Sequence, residues 1–411
     1  MSQSLTARLA DKAKVLMGQS PPSAACSEAG GGLPFLQGNA EFGRRNPTPL
    51  LHCSAPTRIA EAGDLLLSVR APVGELNQAV ERTVIGRGLS ALRFEPAQQN
   101  FAWHSVKFAA PTLNRVAQGS TFVAVSREDV ERLEISWHDE ANPDIAAVLD
   151  TVDEAIAKTE AVIAKLRHVR AGLLQDLLTC GLDHHGQLRD PIAHPEQFQD
   201  SPLGRIPKEW SYGPLASLAL VNPATAFQCL GLNDSVSFIP MQDVDEQGRW
   251  HNRQERELNE VSSGYTRFQE GDILFAKITP CMENGKGCHA LGLTNRVGVG
   301  STEFHVLRPK DGAHARFIFH WTLYARLRRR AEAYMTGSAG QQRVEAKFFD
   351  RFTIPFPTTI EEQGHIAALV DEADTNIERH QTESAKLTML KSGLMTDLLT
   401  GRVRVPAGRG N

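Results

Sequence analysis

An internal repeat is the feature that most constrains how this chain can fold. Residues 145–179 align without a gap to residues 366–400, which lie 221 positions later, and 15 of the 35 aligned residues are identical. A chain of 411 residues is expected to form about two to three domains. The repeat therefore predicts two similar units in tandem, each made of a globular part followed by one copy of the repeated segment.

Both copies of the repeat have the sequence pattern of one long helix. The first follows the capping pair Asn142-Pro143, and the second begins with a capping box formed by Thr359 and Glu362. Apolar residues recur at about 3.5-residue steps, which is the spacing of a coiled-coil seam. We assign to this seam Ile145, Val152, Ile156, Leu166 and Leu173 in the first copy and Ile366, Ile377, Leu387 and Leu394 in the second.

The charges on the two helices predict how they pair. Residues 139–160 contain seven acids and one base, residues 360–381 contain six acids and one base, and basic residues follow in the later half of each helix. Parallel pairing would place acid opposite acid, whereas antiparallel pairing places each acidic half beside a basic half. We therefore predict an antiparallel coiled coil within the chain. The alternative is two separate amphipathic helices, each packed on its own domain.

The segments that precede the helices resemble each other more loosely. GDLLLSVRAP at residues 63–72 and GDILFAKITP at residues 271–280 each combine a Gly-Asp turn, a short apolar strand, a basic residue and a proline. These patterns predict an α+β fold with two tandem domains of mixed structure. The boundaries we predict are a domain at 1–140, a helix at 141–181, a linker at 182–210, a domain at 211–358, a helix at 359–402 and a tail at 403–411.

Motifs for catalysis or cofactor binding are incomplete in this sequence. Asn284-Gly285-Lys286 lacks the flanking glycine and hydroxyl residue of a phosphate-binding loop, and the glycines at 86–91 precede a strand pattern where a dinucleotide site requires a helix. Asn222-Pro223 lacks the second proline and the aromatic residue of an adenine methyltransferase loop. The six cysteines contain no CxxC pair. We therefore predict no catalytic residue, no bound cofactor and no metal site.

Polar side chains on the predicted loops offer recognition chemistry instead. Arg, Lys, Asn and Gln can read the edges of bases, while Ser, Thr and Lys commonly contact phosphates. We predict DNA contacts from Ser68, Arg70, Arg87, Ser120, Lys277, Thr279, Asn284, Lys286, Ser338, Gln341, Gln342 and Arg343. The arginine run at residues 326–330 is a further candidate, for which the alternative is a solvated helix face. The net charge of -4 does not exclude DNA binding, because the acids are concentrated on the two helices.

Several longer motifs resemble one known family. They are GDLLLSVRAPVG, GDILFAKITPCMENGKG, FQDSPLGRIPKEW at residues 198–210, and the helix ends GLLQDLLT and GLMTDLLTGRVRV. In this duplicated order the chain resembles the specificity subunits of type I restriction-modification systems. The resemblance implies two target recognition domains, each reading one half of a bipartite, asymmetric DNA sequence. It also implies that the paired helices hold these domains a fixed distance apart and that the subunit itself is not catalytic.

The same resemblance implies the partners. They are double-stranded DNA, two modification subunits that methylate adenine with S-adenosylmethionine, and two restriction subunits that use ATP and magnesium. No stretch of about 18 apolar residues and no secretion signal is evident, so we expect a cytoplasmic protein that does not enter a membrane. Two alternatives stay open: a self-sufficient DNA methyltransferase or nuclease, and a docking scaffold that binds only proteins.

Overall fold

The structure is a computed structural model of the chain, and it describes residues 6–117, 124–227, 230–338 and 340–405. It divides into two compact units. Unit 1 comprises residues 1–161 and 380–411, and unit 2 comprises residues 162–379. Each unit contains helices and mixed sheets, so the predicted α+β fold with two units is confirmed. Within the described ranges, no helix is both long enough and apolar enough to cross a membrane.

Unit 1 is built around two sheets. Its strands are β1 (Thr6–Arg8), β2 (Lys14–Met17), β3 (Cys26–Ser27), β4 (Leu33–Leu36), β5 (Leu51–Cys53), β6 (Ile59–Ala60), β7 (Leu65–Ser68), β8 (Leu76–Gln78), β9 (Thr83–Ile85), β10 (Leu89–Arg93) and β11 (Glu134–Ser136). Its helices are α1 (Leu9–Lys12), α2 (Gln99–Ala109), α3 (Leu113–Ala117), α4 (Arg127–Glu131) and the first half of α5 (Asn142–Thr179). The sheets have the orders β2-β10-β7-β8 and β3-β5-β4-β9-β6, with β4 and β9 parallel.

Unit 2 repeats this plan with different details. Its strands are β12 (Phe198–Ser201), β13 (Gly204–Pro207), β14 (Trp210–Pro214), β15 (Ala219–Val221), β16 (Ser235–Ile239), β17 (Gln254–Glu257), β18 (Thr266–Gln269), β19 (Ile273–Ala276), β20 (Gly287–His289), β21 (Val297–Gly300), β22 (Phe304–Pro309), β23 (Met335–Thr336), β24 (Arg343–Val344) and β25 (Thr353–Pro357). Its helices are α6 (Ala315–Leu323), α7 (Ala325–Glu332), α8 (Phe348–Arg351) and the first half of α9 (Ile360–Leu399). The order β15-β22-β19-β20 matches β2-β10-β7-β8, and β17-β16-β21-β18 again contains one parallel pair.

The Gly-Asp motif has the same structural role in both units. Asp64 and Asp272 are buried, and each carboxylate accepts a main-chain N–H from the residue three positions earlier. Each also binds an arginine on the neighbouring strand through two hydrogen bonds, Arg93 to Asp64 at 2.9 and 2.7 Å and Arg308 to Asp272 at 2.8 and 2.7 Å. A buried carboxylate needs such partners. The motif therefore fixes the start of the strand that leads to the predicted contact residues.

The two long helices begin within three residues and end within one residue of equivalent positions of the repeat. Along their predicted seam Ile145, Ile156, Ile366 and Ile377 are buried, with exposed fractions of 8% or less. The remaining assigned positions are half-buried: Val152, Leu166, Leu173, Leu387 and Leu394. In unit 1, Lys391 of α9 binds Asp153 of α5, and in unit 2, Arg170 of α5 binds Asp374 of α9. The early half of each helix thus pairs with the late half of the other, which confirms the antiparallel arrangement.

The segment that we predict to be a linker folds as part of unit 2. It forms the hairpin β12–β13, and its Arg189 is buried and donates to Glu362 at 2.7 Å and to Glu209 at 2.8 Å. The indole of Trp210 donates to the same Glu362 carboxylate at 3.0 Å. The Glu362 side chain, which we predict to be part of a capping box, therefore binds the 182–210 segment. The proline and glycine residues of this segment indicate turns, but they do not indicate which part of the fold the turns pack against.

Candidate nucleic-acid interface

Two segments of unit 2 that carry predicted contact residues lie side by side. The main-chain N–H of Thr279 donates to the carbonyl of Gln342 at 3.0 Å, and that of Val344 donates to the carbonyl of Lys277 at 2.9 Å. The Thr279 hydroxyl also donates to the Gln342 carbonyl, at 3.4 Å. Residues that are about 65 positions apart in sequence are thereby brought together. We call Lys277, Thr279, Gln341, Gln342 and Arg343 the reader cluster.

The two basic residues of the reader cluster differ in their partners. Arg343 donates to both carboxylate oxygens of Glu303 at 2.9 Å, and these hydrogen bonds lower the pKa of Glu303. Lys277 is half-buried and forms no hydrogen bond or ion pair through its side chain with the part of the chain that the structure describes. The charge of Lys277 also helps to lower the pKa of Glu303, but its ammonium is not hydrogen-bonded to that carboxylate as Arg343 is, and it can donate to an anionic partner.

Two more predicted contact residues lie on the turn between β19 and β20. Asn284 is exposed, and its main-chain N–H donates to the Pro280 carbonyl at 3.0 Å. Lys286 is half-buried, and its ammonium donates to the Met241 carbonyl at 3.3 Å. Asn284 therefore presents a free amide to solvent, while Lys286 is partly committed to the fold.

Arg328, from the predicted basic patch, lies inside the protein. Its exposed fraction is 5%, and its guanidinium donates to the carbonyls of Thr322 at 2.6 Å, Met282 at 3.1 Å and Lys286 at 3.2 Å. The guanidinium also lies 3.9 Å from the ring centroid of Phe275. Burial lowers the pKa of Arg328 to about 9, which leaves it charged at neutral pH. Arg328 thus holds the turn that carries Asn284 and Lys286, a role that the charge pattern alone did not indicate.

Ser338 and Gln341 are exposed on the turn between β23 and β24. The Gln341 N–H donates to the Ser338 carbonyl at 3.0 Å. Gly337 has a φ of 123°, and a Cβ at this position would lie 2.9 Å from the Gln341 carbonyl oxygen. Only glycine fits there without strain, so the glycine that marks this loop in the sequence is required by its geometry.

In unit 1, Ser68 is turned inwards and is 1% exposed. Its hydroxyl donates to the Pro72 carbonyl at 2.6 Å and accepts from the Glu75 N–H at 2.8 Å. Both hydrogen bonds close the loop after β7. We therefore correct its predicted role: Ser68 shapes this loop from within and does not present its hydroxyl to a ligand.

The other predicted residues of unit 1 are on the surface or outside the described residues. Arg70 is exposed and forms an isolated β-bridge with Ala124, which matches the bridge between Ile278 and Arg343 in unit 2. Arg87 is exposed, and its main-chain N–H donates to the Ser20 hydroxyl at 3.3 Å. Ser120 lies outside the described residues. Arg70 therefore occupies the unit 1 position that corresponds to the reader cluster.

Two His-Asp-Asp groups, one in each unit, have the spacing of possible metal ligands. They are His104 with Asp150 and Asp153, and His320 with Asp371 and Asp374. The two aspartates of the first group lie on α5, 221 positions before the two aspartates of the second group on α9. The imidazole of His104 lies 2.9 Å from Asp150, and that of His320 lies 2.8 Å from Asp371. The two units thus share the helix seam and also the contact that a histidine of α2 or α6 makes with a long helix.

Each carboxylate in these groups already has a basic partner. Asp150 pairs with Arg45, Asp153 with Lys391, Asp371 with Arg316 and Asp374 with Arg170. Although burial alone would raise it, the hydrogen bonds from His320 and Arg316 hold the pKa of Asp371 well below its usual range. A metal ion would have to displace these cations. We infer that the groups anchor each globular part to the helix pair.

The comparisons with known proteins agree with this arrangement. Residues 234–389 match the family described as "Type I restriction modification DNA specificity domain". The chain is 36% identical over 166 residues to the type I restriction enzyme EcoEI specificity subunit of Escherichia coli, a match that covers 40% of this chain and 28% of that protein. It is 34% identical over 169 residues to a putative MjaX specificity subunit of Methanocaldococcus jannaschii, which covers 40% of each chain. These matches indicate a type I restriction-modification specificity subunit, and residues 234–389 carry the matched domain.

The likeness of fold to a solved type I S subunit extends along nearly the whole chain. The S subunit of a type I restriction-modification system from M. genitalium superposes with a TM-score of 0.57 and 13% identity, covering 95% of this chain and 94% of that one. The sequence matches span less than half the length of the EcoEI and MjaX relatives. The family match at 234–389 contains the reader cluster and Arg328. For most of unit 1 the likeness to the S subunit from M. genitalium is one of fold.

Proposed function

We propose that this chain is the DNA-recognition subunit of a type I restriction-modification complex and that each unit reads one half of a bipartite, asymmetric target. One observation carries the proposal. The repeat-related ion pairs Asp153–Lys391 and Asp374–Arg170 join the two helices. Beside them, the contacts His104–Asp150 and His320–Asp371 attach two different globular parts to the helices in the same way. Equivalent anchors with unlike loops suit a protein that positions two readers of different sequence.

The reader cluster supplies the chemistry for unit 2. Lys277 and Asn284 offer donors to base edges or phosphates, and the amides of Gln341 and Gln342 can donate and accept, as bidentate recognition of adenine requires. Arg343 is held by Glu303 in a fixed orientation, which favours selectivity over affinity. In unit 1 the corresponding donors are Arg70 and Arg87.

The helix pair is proposed to act as a spacer. α5 has 38 residues and α9 has 40, so each is roughly 57 to 60 Å long at 1.5 Å per residue. Half-sites that are separated by one turn of DNA, about 34 Å, fall within this length. The spacer length of the target would then depend on the helix pair and not on the loops.

The same helices are proposed to bind two modification subunits. Val169 and Leu390 occupy equivalent positions of the repeat, and they are 54% and 52% exposed. Apolar residues that stay exposed on a helix pair mark surfaces for partner helices. We propose that the partner subunits carry the chemistry, with S-adenosylmethionine on the modification subunits and ATP with magnesium on the restriction subunits, and that the complex works in the cytoplasm.

The proposal is tested by reconstitution. The full chain, with and without its modification subunits, is incubated with a library of DNA that carries two randomised blocks separated by variable spacers, and bound molecules are sequenced. We expect two defined half-sites with one fixed spacer, and adenine methylation only when the modification subunits are present. Absence of sequence selection under both conditions, or methylation by the chain alone, would contradict the proposal.

A further inference from the structure

A pocket of about 640 Å³ in unit 2 is lined by four arginines. Arg326, Arg329 and Arg330 come from α7, and Arg351 comes from the end of α8. Apolar and aromatic side chains, including Tyr334 and Phe348, complete the wall. No acidic residue is among those that line it in the described part of the chain. The pocket therefore concentrates positive charge on a protein whose net charge is negative.

The charges of this pocket are not neutralised within the chain. Arg330 donates to the Tyr334 hydroxyl at 3.4 Å and lies over the ring at 5.1 Å. Arg326, Arg329 and Arg351 are exposed and form no hydrogen bond or ion pair with any residue in the described ranges. Most other arginines of unit 2 that border the helix pair bind a carboxylate, as Arg170, Arg249 and Arg316 do. Several unpaired guanidinium groups in one concavity attract a ligand with several negative charges.

The helix that carries three of these arginines is connected to the reader cluster. α7 ends at Glu332, and the chain then passes through Tyr334 into β23 and the turn that carries Ser338. On the opposite side of the same helix, buried Arg328 holds the Met282 and Lys286 carbonyls of the Asn284 turn. The exposed arginines and the predicted base contacts are therefore linked through α7 within unit 2.

The corresponding groove in unit 1 lacks this charge. Thr179 of α5, which lines a cavity adjoining the arginine pocket, is equivalent along the repeat to Thr400, which lines a groove of about 660 Å³ in unit 1. The ionisable residues of that groove are Asp129, Arg132 and Glu134. Two copies of one partner protein would be expected to use equivalent surfaces. A charge that is present in one unit only is better suited to an asymmetric ligand.

We propose that the arginine pocket binds the phosphodiester backbone of DNA beside the half-site that unit 2 reads. The inference rests on the proposed function and adds a site that contributes affinity without reading bases. Contacts to phosphates fix the register of a protein on the duplex and make binding strongly dependent on salt. Guanidinium groups suit this role because each can donate two hydrogen bonds to one phosphate.

The test uses the Arg326→Gln/Arg329→Gln variant of the full chain, reconstituted with its modification subunits. DNA binding is measured by fluorescence anisotropy at several salt concentrations, on duplexes with the selected target and with either half-site scrambled. We expect the slope of log affinity against log salt to fall by about 2, and affinity at 0.15 M salt to fall about tenfold. The preference for each half-site over its scrambled form should stay at the wild-type ratio.

The control is Arg127→Gln/Arg132→Gln on α4, which removes the same charge from two exposed arginines that are paired with Glu131 and Glu128. It should leave the salt slope unchanged. If the pocket variant does not fold, Arg351→Gln on a different helix should lower the slope by about 1. A wild-type slope in the folded variants, or weaker binding of the modification subunits with normal DNA affinity, would overturn the inference while leaving the proposed function intact. Loss of selectivity in the wild-type chain itself would instead contradict the proposed function.

Discussion

Lys391 donates to both carboxylate oxygens of Asp153, each at 2.6 Å, and so joins the late half of α9 to the early half of α5. At the equivalent positions of the repeat, Arg170 donates to both oxygens of Asp374 at 2.8 and 2.9 Å. The acid and the base have the same places in both helices, as an antiparallel pair related by an internal two-fold requires. Three residues before each of these aspartates, a second aspartate contacts a histidine of the globular part: Asp150 contacts His104 and Asp371 contacts His320.

Removing the base from this pair should destabilise unit 1. Lys391→Ala leaves Asp153 beside buried His104 without its cation, and the side chains of the pair are only 11% and 24% exposed. Loss of one partner of a largely buried pair costs about 2 to 3 kcal/mol. Urea unfolding should show this loss. Lys158→Ala, whose pair with Glu154 is 75% and 66% exposed, should change stability by less than about 0.5 kcal/mol. Equal effects from the two variants would contradict the anchor.

Two substitutions on α5 should separate helix pairing from partner binding. Leu166 is half-buried on the seam, so Leu166→Asp should lower stability by about 2 kcal/mol or more because it buries a charge. Val169 is 54% exposed, so Val169→Asp should leave the melting temperature within about 2 °C of wild type. We expect Val169→Asp, and Leu390→Asp on α9, to weaken binding of the modification subunits in pull-down and calorimetry. Normal assembly by both would exclude these positions from the partner surface.

Arg328 should affect sequence reading from inside the protein. Arg328→Met keeps much of the volume but leaves the carbonyls of Thr322, Met282 and Lys286 without a donor. Unsatisfied buried carbonyls cost about 1 to 3 kcal/mol. We expect lower thermal stability of unit 2 and a loss of selectivity at one half-site, measured by selection from the randomised library, with the other half-site intact. Normal selectivity in a destabilised but folded variant would limit Arg328 to a role in stability.

The stability of unit 2 should fall on mild acidification because of His289. Burial, assisted by the charge of Arg316, lowers its pKa to about 4, whereas an unfolded histidine titrates near about 6.5. Between these values the unfolded chain binds the proton and the folded chain does not. The free energy of unfolding is therefore at its full value above a pH of about 6.5. It decreases as the pH falls, by up to about 3 kcal/mol at pH 4. Urea unfolding of wild type and His289→Gln from pH 7.5 to 4.5 should give converging free energies. Parallel curves would exclude His289 as the source.

The sequence predicts the two long helices well, but it predicts the structure of the loops only in part. Burial along the seam follows from local periodicity, and the ion pairs follow from the charge asymmetry of the helices. Many helix acids, however, pair with arginines of the globular parts: Asp150 with Arg45, Glu160 with Arg44 and Asp371 with Arg316. Those partners are distant in sequence, and no local pattern indicates them.

The predicted contact residues show the same division. Thr279 and Gln342 are predicted from residue type and loop position, but their direct contact depends on the pairing of segments that are more than 60 positions apart. Ser68 and Arg328 are of residue types that commonly form surface contacts, yet both are buried. Their hydroxyl and guanidinium groups instead form hydrogen bonds with main-chain atoms. Residue type alone does not distinguish these two uses.

The proposed function predicts that the two units read DNA independently. Lys277 and Arg70 lie on equivalent segments of units 2 and 1, and neither forms an ion pair with the residues that the structure describes. Lys277→Ala should weaken discrimination at one half-site by about 1 to 3 kcal/mol, and Arg70→Ala should do so at the other, since each removes one base or phosphate contact. Selection from the randomised library, read separately for each block, measures both effects. The double variant should show the sum, because the two residues belong to different units and have no partner in common among the residues that the structure describes. If either single substitution blurred both half-sites equally, the two units would not read DNA independently.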